Sequence, residues 1–519
     1  MSDDKMRKDK IEAPGTESSQ PENPGPAPEE ETFVGNDKVL FGIIFGVLAF
    51  WLFAQTTLNI APVMAEDLGV ETSIMNIAVS ITALFSGIFI VVMGGLADRL
   101  GRVRVVMWGF LLSIAGSILV GVTPSGPLAN IFLMIGRILQ GLSAACIMSA
   151  SLALIQAYWQ GAARQRAISL WSIGSWGGSG FAALFGGFMA QGIGWRWIFF
   201  GSAALSLIGM LMVRGTPESK GSGQQKRSFD YAGVFTFMIM MVALQIYATQ
   251  GAALGWFSFG SMALLAIGVI FGIIFFRIEL SVPNAFVDFK LFKNSIFTGA
   301  TISNLLLNGT AGILIVAMSL VQLGGDMTAQ EAGMLTLGYG ITIVAFIRVG
   351  EKLLQRFGPR QPMIWGSLIV GVSIFLLMPT HMLLETYTIF AVIGFSLFGL
   401  GLAFYATPST DAALSALPAD QAGSGSGIYK MASSLGASFG VAISAAVFTA
   451  LSGESTVGWI DGLIAYIGRQ DNVAVRQAAQ VALGVNLLMV VAAIVSIMMT
   501  IPKSVRGSDE GENVSESGS

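Results

Sequence analysis

The run Gly94–Arg104 (GGLADRLGRVR) sets one carboxylate and three guanidinium groups among three glycines, between two long apolar stretches. Asp98 is placed to cap a helix or to pair with an arginine such as Arg99 or Arg102. A bond of that kind closes one face of a helical assembly in one state only. Gly94, Gly95 and Gly101 permit a tight turn and the close approach of a neighbouring helix. The competing reading is an ordinary basic loop held at an anionic membrane surface. Arg137 lies some nine residues inside another apolar stretch, where an isolated charge is costly and usually marks function. Backbone hydrogen bonding or snorkelling to an interface is its alternative. Asp411, after Pro408 at the end of a later stretch, is a candidate for proton exchange or a cap for the next segment. Enzyme chemistry finds no support: the chain has one histidine, His381, one cysteine, Cys146, no HExxH and no phosphate-cradling loop. No metal or cofactor is expected, and nothing in the pattern points to nucleic acid.

The elements that position these groups must be membrane helices. The chain is 54% apolar and only 11% charged, against about 25% charged in a soluble domain. Apolar segments of about twenty residues, each long enough to cross about 30 Å of hydrocarbon, recur along it. They predict fourteen spans, from about 39–64 to about 477–501. Residues 1–37 are rich in Pro, Glu, Ser and Gly and read as a disordered tail. They carry ten of the 31 acidic residues, and 503–519 carry four more, so the net charge of −3 says little about the body. With the N-terminus inside, 24 of the 28 Lys and Arg fall on inner segments and inner span ends, against three (Arg196, Arg469, Arg476) outside. That asymmetry places both termini in the cytoplasm.

A weaker echo of the charged turn appears at Glu351–Arg360 (EKLLQRFGPR), 257 residues later, about half the chain. Two helical halves with matching turns imply a transporter that rocks about a site at their interface. The expected organisation is a cytoplasmic tail (1–37), a six-helix bundle (38–214), a linker with two extra helices (215–294), a second six-helix bundle (295–502) and a short tail (503–519). Residues 283–294 and 457–467 read as amphipathic stretches on the inner and outer surfaces.

The GGLADRLGRVR run resembles the loop motif between the second and third spans of the major facilitator superfamily. Arg137-Ile-Leu-Gln140-Gly141, Gly194-Trp195-Arg196-Trp197 and Asp288-Phe-Lys-Leu-Phe292 narrow the resemblance to its fourteen-span drug:proton antiporters. The runs 171–180, 405–413 and 427–433 bring the resemblance nearer still to NorB-type quinolone-resistance pumps of Gram-positive bacteria. The resemblance implies an all-helical fold of two six-helix bundles plus two extra helices, in a bacterial plasma membrane. It implies export of amphiphilic drugs by proton antiport, from a chain acting as a monomer among lipids. It further implies that Asp98, with Gly94, Arg99, Gly101 and Arg102, belongs to an inner gate, and that Arg137 belongs to a proton-transfer motif. Export or import of a native metabolite or lipid-linked molecule is the alternative.

Two features depart from that family. The fifth span lacks its Gly-Pro pair, although Gly174, Gly178, Ala182 and Gly186 still form a smooth face, as Ala432, Gly436, Gly440 and Ser444 do in the thirteenth. The first span lacks an aspartate, leaving proton coupling to Asp98 and Asp411 with Arg137. Without a mid-membrane carboxylate, neutral, zwitterionic or singly charged cargo is expected over dications. Gln55 with Asn59 and Asn304 with Asn308 form polar stripes one turn long. With Trp51, Trp171, Trp176 and Tyr405 they are candidates for the cavity lining; lipid contact is the alternative for each aromatic.

Overall fold

A backbone surrounded by hydrocarbon must satisfy its own N–H and C=O groups, and long apolar runs do so as helices. The computed structural model describes residues 33–221, 230–282, 285, 287, 289–452 and 465–503, and all regular structure among them is helical. The expected N-terminal tail before residue 33, the C-terminal tail beyond 503 and most of the outer amphipathic stretch lie outside the described residues.

The first rod consists of α1 (Asp37–Leu48) and α2 (Thr57–Leu68), joined by a π-turn at Ala49–Phe53 and a 3-10 turn at Ala54–Thr56. Helices α3 (Thr72–Leu100), α4 (Arg102–Gly121) and α5 (Ala129–Tyr158) follow. Next come α6 (Gly161–Ser172) and α7 (Gly178–Gly192), again one rod with a π-turn between, and then α8 (Arg196–Val213). The extra pair is α9 (Tyr231–Leu254) and α10 (Phe259–Ser281). The second half begins with α11 (Ser295–Gly309) and α12 (Gly312–Ser319), continues through the short α13 (Ala329–Leu335) and α14 (Leu337–Phe357), and includes α15 (Arg360–Leu377) and α16 (Leu384–Ser415). It ends with α17 (Ala422–Leu451) and α18 (Val473–Thr500).

Eleven helices among the described residues are long and apolar enough to cross a membrane. The other expected spans are helical too. The first and fifth are interrupted by π-turns, and α9 has a shorter apolar stretch, Tyr231–Tyr247. Exposed side chains such as Ile273, Phe276, Leu488 and Val491 form an apolar exterior suited to lipid.

Small residues set which helices touch. Added Cβ atoms at Gly174, Gly178 and Gly186 would meet Ile44, Trp51 and Thr56, so the smooth face of the fifth rod lies on the first. In the second half, Gly436 and Gly440 press on the carbonyls of Leu305 and Gly309, laying α17 on α11. The fifth rod has no proline, and a π-turn at Ile173–Gly177 interrupts it near its middle. The breaks in the two opening rods correspond as well. Ala54 and Ala311, 257 positions apart, both sit where the helix is interrupted. The duplication is therefore written in backbone irregularities, even though the polar stripes are out of register.

The extra pair packs on itself through Gly268 against Leu244 and Gly272 against Met240. Gln245 donates to Ser438 Oγ at 3.0 Å, which ties α9 to α17. Residues Phe289–Lys293 form a 3-10 turn with Leu291 buried and with Phe289 and Phe292 packed on aromatic neighbours. Part of the expected inner-surface stretch, including Asp288, lies outside the described residues.

The Gly194-Trp195-Arg196-Trp197 run has a structural job at the end of the bundle away from the charged turn. Gly194 turns at a φ of 98°. Trp195 then enters a cluster with Met64, Leu68, Leu133 and Phe199, while its indole N–H donates to Asp67 at 3.1 Å.

Candidate functional site

The charged turn lies at one end of the bundle, called the basic end below. Gly101 links α3 to α4 at a φ of 126°, a conformation that favours glycine. An added Cβ there would overlap the Glu218 carboxylate. That carboxylate accepts from the amides of Val103 (2.9 Å) and Arg104 (3.0 Å), capping α4, whose own N-cap residue has no side chain to do so.

Asp98 performs the same service for a helix of the other half. Its Oδ1 accepts from the Gly423 amide at 2.8 Å and its Oδ2 from the Ser424 amide at 2.9 Å, the second and third residues of α17. The N-cap residue of α17, Gln421, makes no side-chain cap of its own. A carboxylate at a helix N-terminus gains from both the orphan amides and the positive end of the helix dipole. Arg102 completes the cluster. Its Nε and Nη2 reach Asp98 Oδ1 at 3.1 and 2.9 Å, and Nη2 also donates to the Ala419 carbonyl at 2.7 Å. Both side chains are buried, at 1% and 3% exposure, so this pair is shielded from screening by water.

Glycines allow the approach. A Cβ at Gly94 would overlap the carbonyl of Gly423, and one at Gly423 would overlap that of Gly94. One turn deeper, Ser426 Oγ donates to the Ser149 carbonyl of α5 at 2.9 Å. Arg99, at the end of α3, is half-buried.

Asp411 forms a second link between the halves. It lies inside α16, four residues before its end, and its Oδ1 accepts from Arg164 Nε of α6 at 3.1 Å. Gln165 reaches Oδ2 at 3.4 Å, and Arg164 Nη2 donates to Ser415 Oγ at 2.6 Å. Its carboxylate thus bridges to α6 and does not cap the following segment. Gln156 of α5 adds a bond to the Leu417 carbonyl at 3.2 Å. All these links lie at the basic end.

Arg137 sits elsewhere. It is fully buried in α5, and its Nη1 donates to the Ala54 carbonyl at 2.8 Å and to Gln140 Oε1 at 2.7 Å. Nε donates to Ala78 O at 3.0 Å, while Nη2 has no hydrogen-bond partner among the described residues. Gln140 passes the network to Ser117, Ser117 to Ser202, and Ser202 to the Ala49 carbonyl. The side chains thereby serve carbonyls at both ends of the π-turn in the first rod. Arg137 lies twelve residues, about 18 Å of helix, from Ser149 at the inter-half contact. Among the described residues it shares no hydrogen bond with Asp98 or Asp411, so the three expected proton-coupling groups form separate clusters.

The expected lining residues also divide. Tyr405 and Asn304 are buried in a polar network within the second half. Tyr405 Oη meets Ser303 Oγ at 2.7 Å and Ser409 Oγ at 3.0 Å, and Ser409 accepts from Tyr429 Oη at 2.9 Å. Asn304 donates to the Tyr429 carbonyl (3.0 Å) and to Ser433 (2.6 Å), and Asn308 donates to Asn304 Oδ1 at 2.9 Å. Trp171 is buried, with its indole N–H on Ser151 Oγ at 2.9 Å. Tyr405, Asn304 and Trp171 hold helices together in this state and face no open space. Trp51 and Trp176 are half-buried. The backbones of Gln55 and Asn59 fall at and just beyond the 3-10 turn of the first rod, and their side chains lie outside the described residues. An open apolar cavity of about 580 Å³ runs between the first, fifth and α14 rods, lined by Leu48, Leu52, Phe181, Phe185 and Val344 among others.

The structure adds residues that the sequence reading passed over. Arg164 completes the Asp411 link and Glu218 caps α4, but their partners are distant in sequence. Lys430 is different. It is buried eight residues inside α17, with Nζ 4.9 Å from the Trp171 ring centroid. Its signal, a charge within a span, is the one that identified Arg137. Nearness to the start of the run placed it with the span ends instead.

The sequence matches the family model described as Major Facilitator Superfamily over residues 40–283 and 300–469. It is 44% identical over 476 residues to the quinolone resistance protein NorB of Staphylococcus aureus strain MRSA252, covering 92% of this chain and 98% of that protein. NorB of strain COL matches to the same extent. Among solved structures, the proton:xylose symporter XylE bound to 6-bromo-6-deoxy-D-glucose aligns with a TM-score of 0.60 at 15% identity, over 90% of this chain and 94% of that one. The human organic anion transporter MFSD10 (TETRAN) aligns at 0.56 and 13% identity, over 89% and 98%. Breaks repeated half a chain apart, an all-helical apolar body and a glycine-lined contact between its halves accord with these matches: the chain belongs to the major facilitator superfamily and is a multi-pass bacterial membrane transporter.

Proposed function

We propose that this chain exports amphiphilic drugs, quinolones among them, across the plasma membrane by proton antiport with alternating access. The basic end faces the cytoplasm, where its Lys and Arg meet anionic lipid. The observation that carries this reading is the Asp98 carboxylate, which caps α17 of the opposite half. A bond across the seam exists only while the two halves are closed at that end, so it favours the outward-facing state by its full strength. Asp411 with Arg164 adds a second latch of the same sense. Ionised, each carboxylate accepts at both oxygens and carries the charge that its arginine partner meets. Protonation removes that charge and turns one oxygen into a donor, which weakens the latch. The protein thus has a route from proton binding to gate opening without a carboxylate at mid-membrane.

Arg137 serves the cycle by holding the interrupted first rod to α3 and α5, where a change in the π-turn would change what the first half presents to cargo. The function of the NorB relatives, as their name gives it, supports quinolones as one substrate class. The test is purified protein in liposomes under an imposed pH gradient. Movement of a quinolone against its concentration gradient, abolished when the pH gradient is collapsed, is the expected result. Exchange that ignores the pH gradient contradicts antiport, and no movement contradicts the drug-export reading.

A further inference from the structure

Lys430 is 6% exposed, and among the described residues no carboxylate forms an ion pair with it. The two buried carboxylates of the inter-half links are committed elsewhere: Asp98 to Arg102 and two amides, Asp411 to Arg164 and Gln165. Its contact with the Trp171 ring is a cation–π interaction, which offsets only part of the cost of removing an ammonium from water. A buried cation left in this condition lacks an anion.

The position of the pair indicates where the anion comes from. Lys430 belongs to α17 and Trp171 to α6, so their contact crosses the same seam that Asp98 and Asp411 close. When the halves part at the basic end, the ammonium leaves the indole face and both groups are presented to the space between. An aromatic ring bearing a carboxylate complements that pair: its acid group meets the ammonium and its ring system stacks on the indole.

We propose that Lys430 and Trp171 together form the recognition site for aromatic carboxylates, and that Lys430 selects them over esters and dications. The proposal rests on the exporter reading and deepens it by naming the acid group as the recognised feature. It also gives the absence of a mid-membrane carboxylate a positive counterpart, since the charge supplied near the seam is a cation.

The experiment compares a quinolone carboxylic acid with its methyl ester in proteoliposomes of wild type, Lys430→Met and Lys430→Arg, with equilibrium binding of both probes to the purified proteins. Wild type should prefer the acid. Lys430→Met should lower the acid-to-ester ratio about tenfold or more, and Lys430→Arg should keep it above that of Lys430→Met. A ratio unchanged in Lys430→Met, or acid and ester lost in parallel, overturns the proposal. If Lys430→Met yields no folded protein, wild type alone decides, and equal binding of acid and ester overturns it. If wild type binds the acid preferentially but transports neither probe, the exporter reading fails while the recognition site stands.

Discussion

At the scale of residues, buried charges do three distinct things. Asp98 acts as a cap in trans, Asp411 as an ion-pair bridge between α16 and α6, and Arg137 as a tie between a helix break and its neighbours. Replacing Asp98 by Asn keeps the size but removes the charge, leaving Arg102 buried without its anion. Breaking a buried pair of this kind costs about 3 kcal/mol. The expected outcome is gradient-driven efflux reduced about tenfold or more, with expression retained, measured in everted vesicles. Efflux at the wild-type rate would show that the cap is structural decoration. Arg137→Ala removes donors to Ala54, Ala78 and Gln140 at once. It should abolish gradient-driven efflux without loss of membrane insertion, and normal transport by that variant would remove Arg137 from the mechanism. These roles were unequally legible in the sequence. Asp98 could be read as a cap or an ion pair from its turn, and the structure makes it both. Its partner helix, 325 positions away at Gly423, has no local signal. Tyr405 and Asn304 were legible as polar groups in apolar helices, but whether such a group faces cargo or another helix depends on packing that spacing does not encode.

At the scale of elements, small residues and helix breaks carry the architecture. The faces Gly174–Gly186 and Ala432–Ser444 could be read from four-residue steps, because that spacing puts them on one side of a helix. The helices they press against could not. The π-turns at Ala49–Phe53 and Ile173–Gly177 were hidden too, since they depend on long-range donors such as Ser202 and on tight neighbours. Gly440→Val should be severe, because any Cβ there overlaps the Gly309 carbonyl. Loss of folded protein, or a drop in Tm of several degrees, is expected by thermal-shift measurement in detergent. Gly484→Ala, in α18, meets no atom within 4 Å and should leave the Tm unchanged. Equal Tm values for the two variants would contradict the close α11–α17 contact.

At the scale of the whole molecule, the polar links between halves described above gather at the basic end, and the fold's duplication gives each half an interrupted opening rod. In the cycle proposed here the interrupted rods are the hinge and the contact at the basic end is the latch, with the carboxylates of Asp98 and Asp411 as its proton acceptors. The class was legible because it follows from a sum over the chain, its apolar content, while the distribution of Lys and Arg carries the orientation used in the proposal. The most direct test is the distance across the basic end, measured by electron spin resonance between labels on Arg104→Cys and Gln355→Cys in a Cys146→Ser background. Both label sites are exposed and lie in opposite halves. A single short distance should give way to a longer one when Asp98→Asn is added, and the longer population should also grow at low pH. One unchanging distance across pH and in the Asp98→Asn protein would contradict a latch between moving halves.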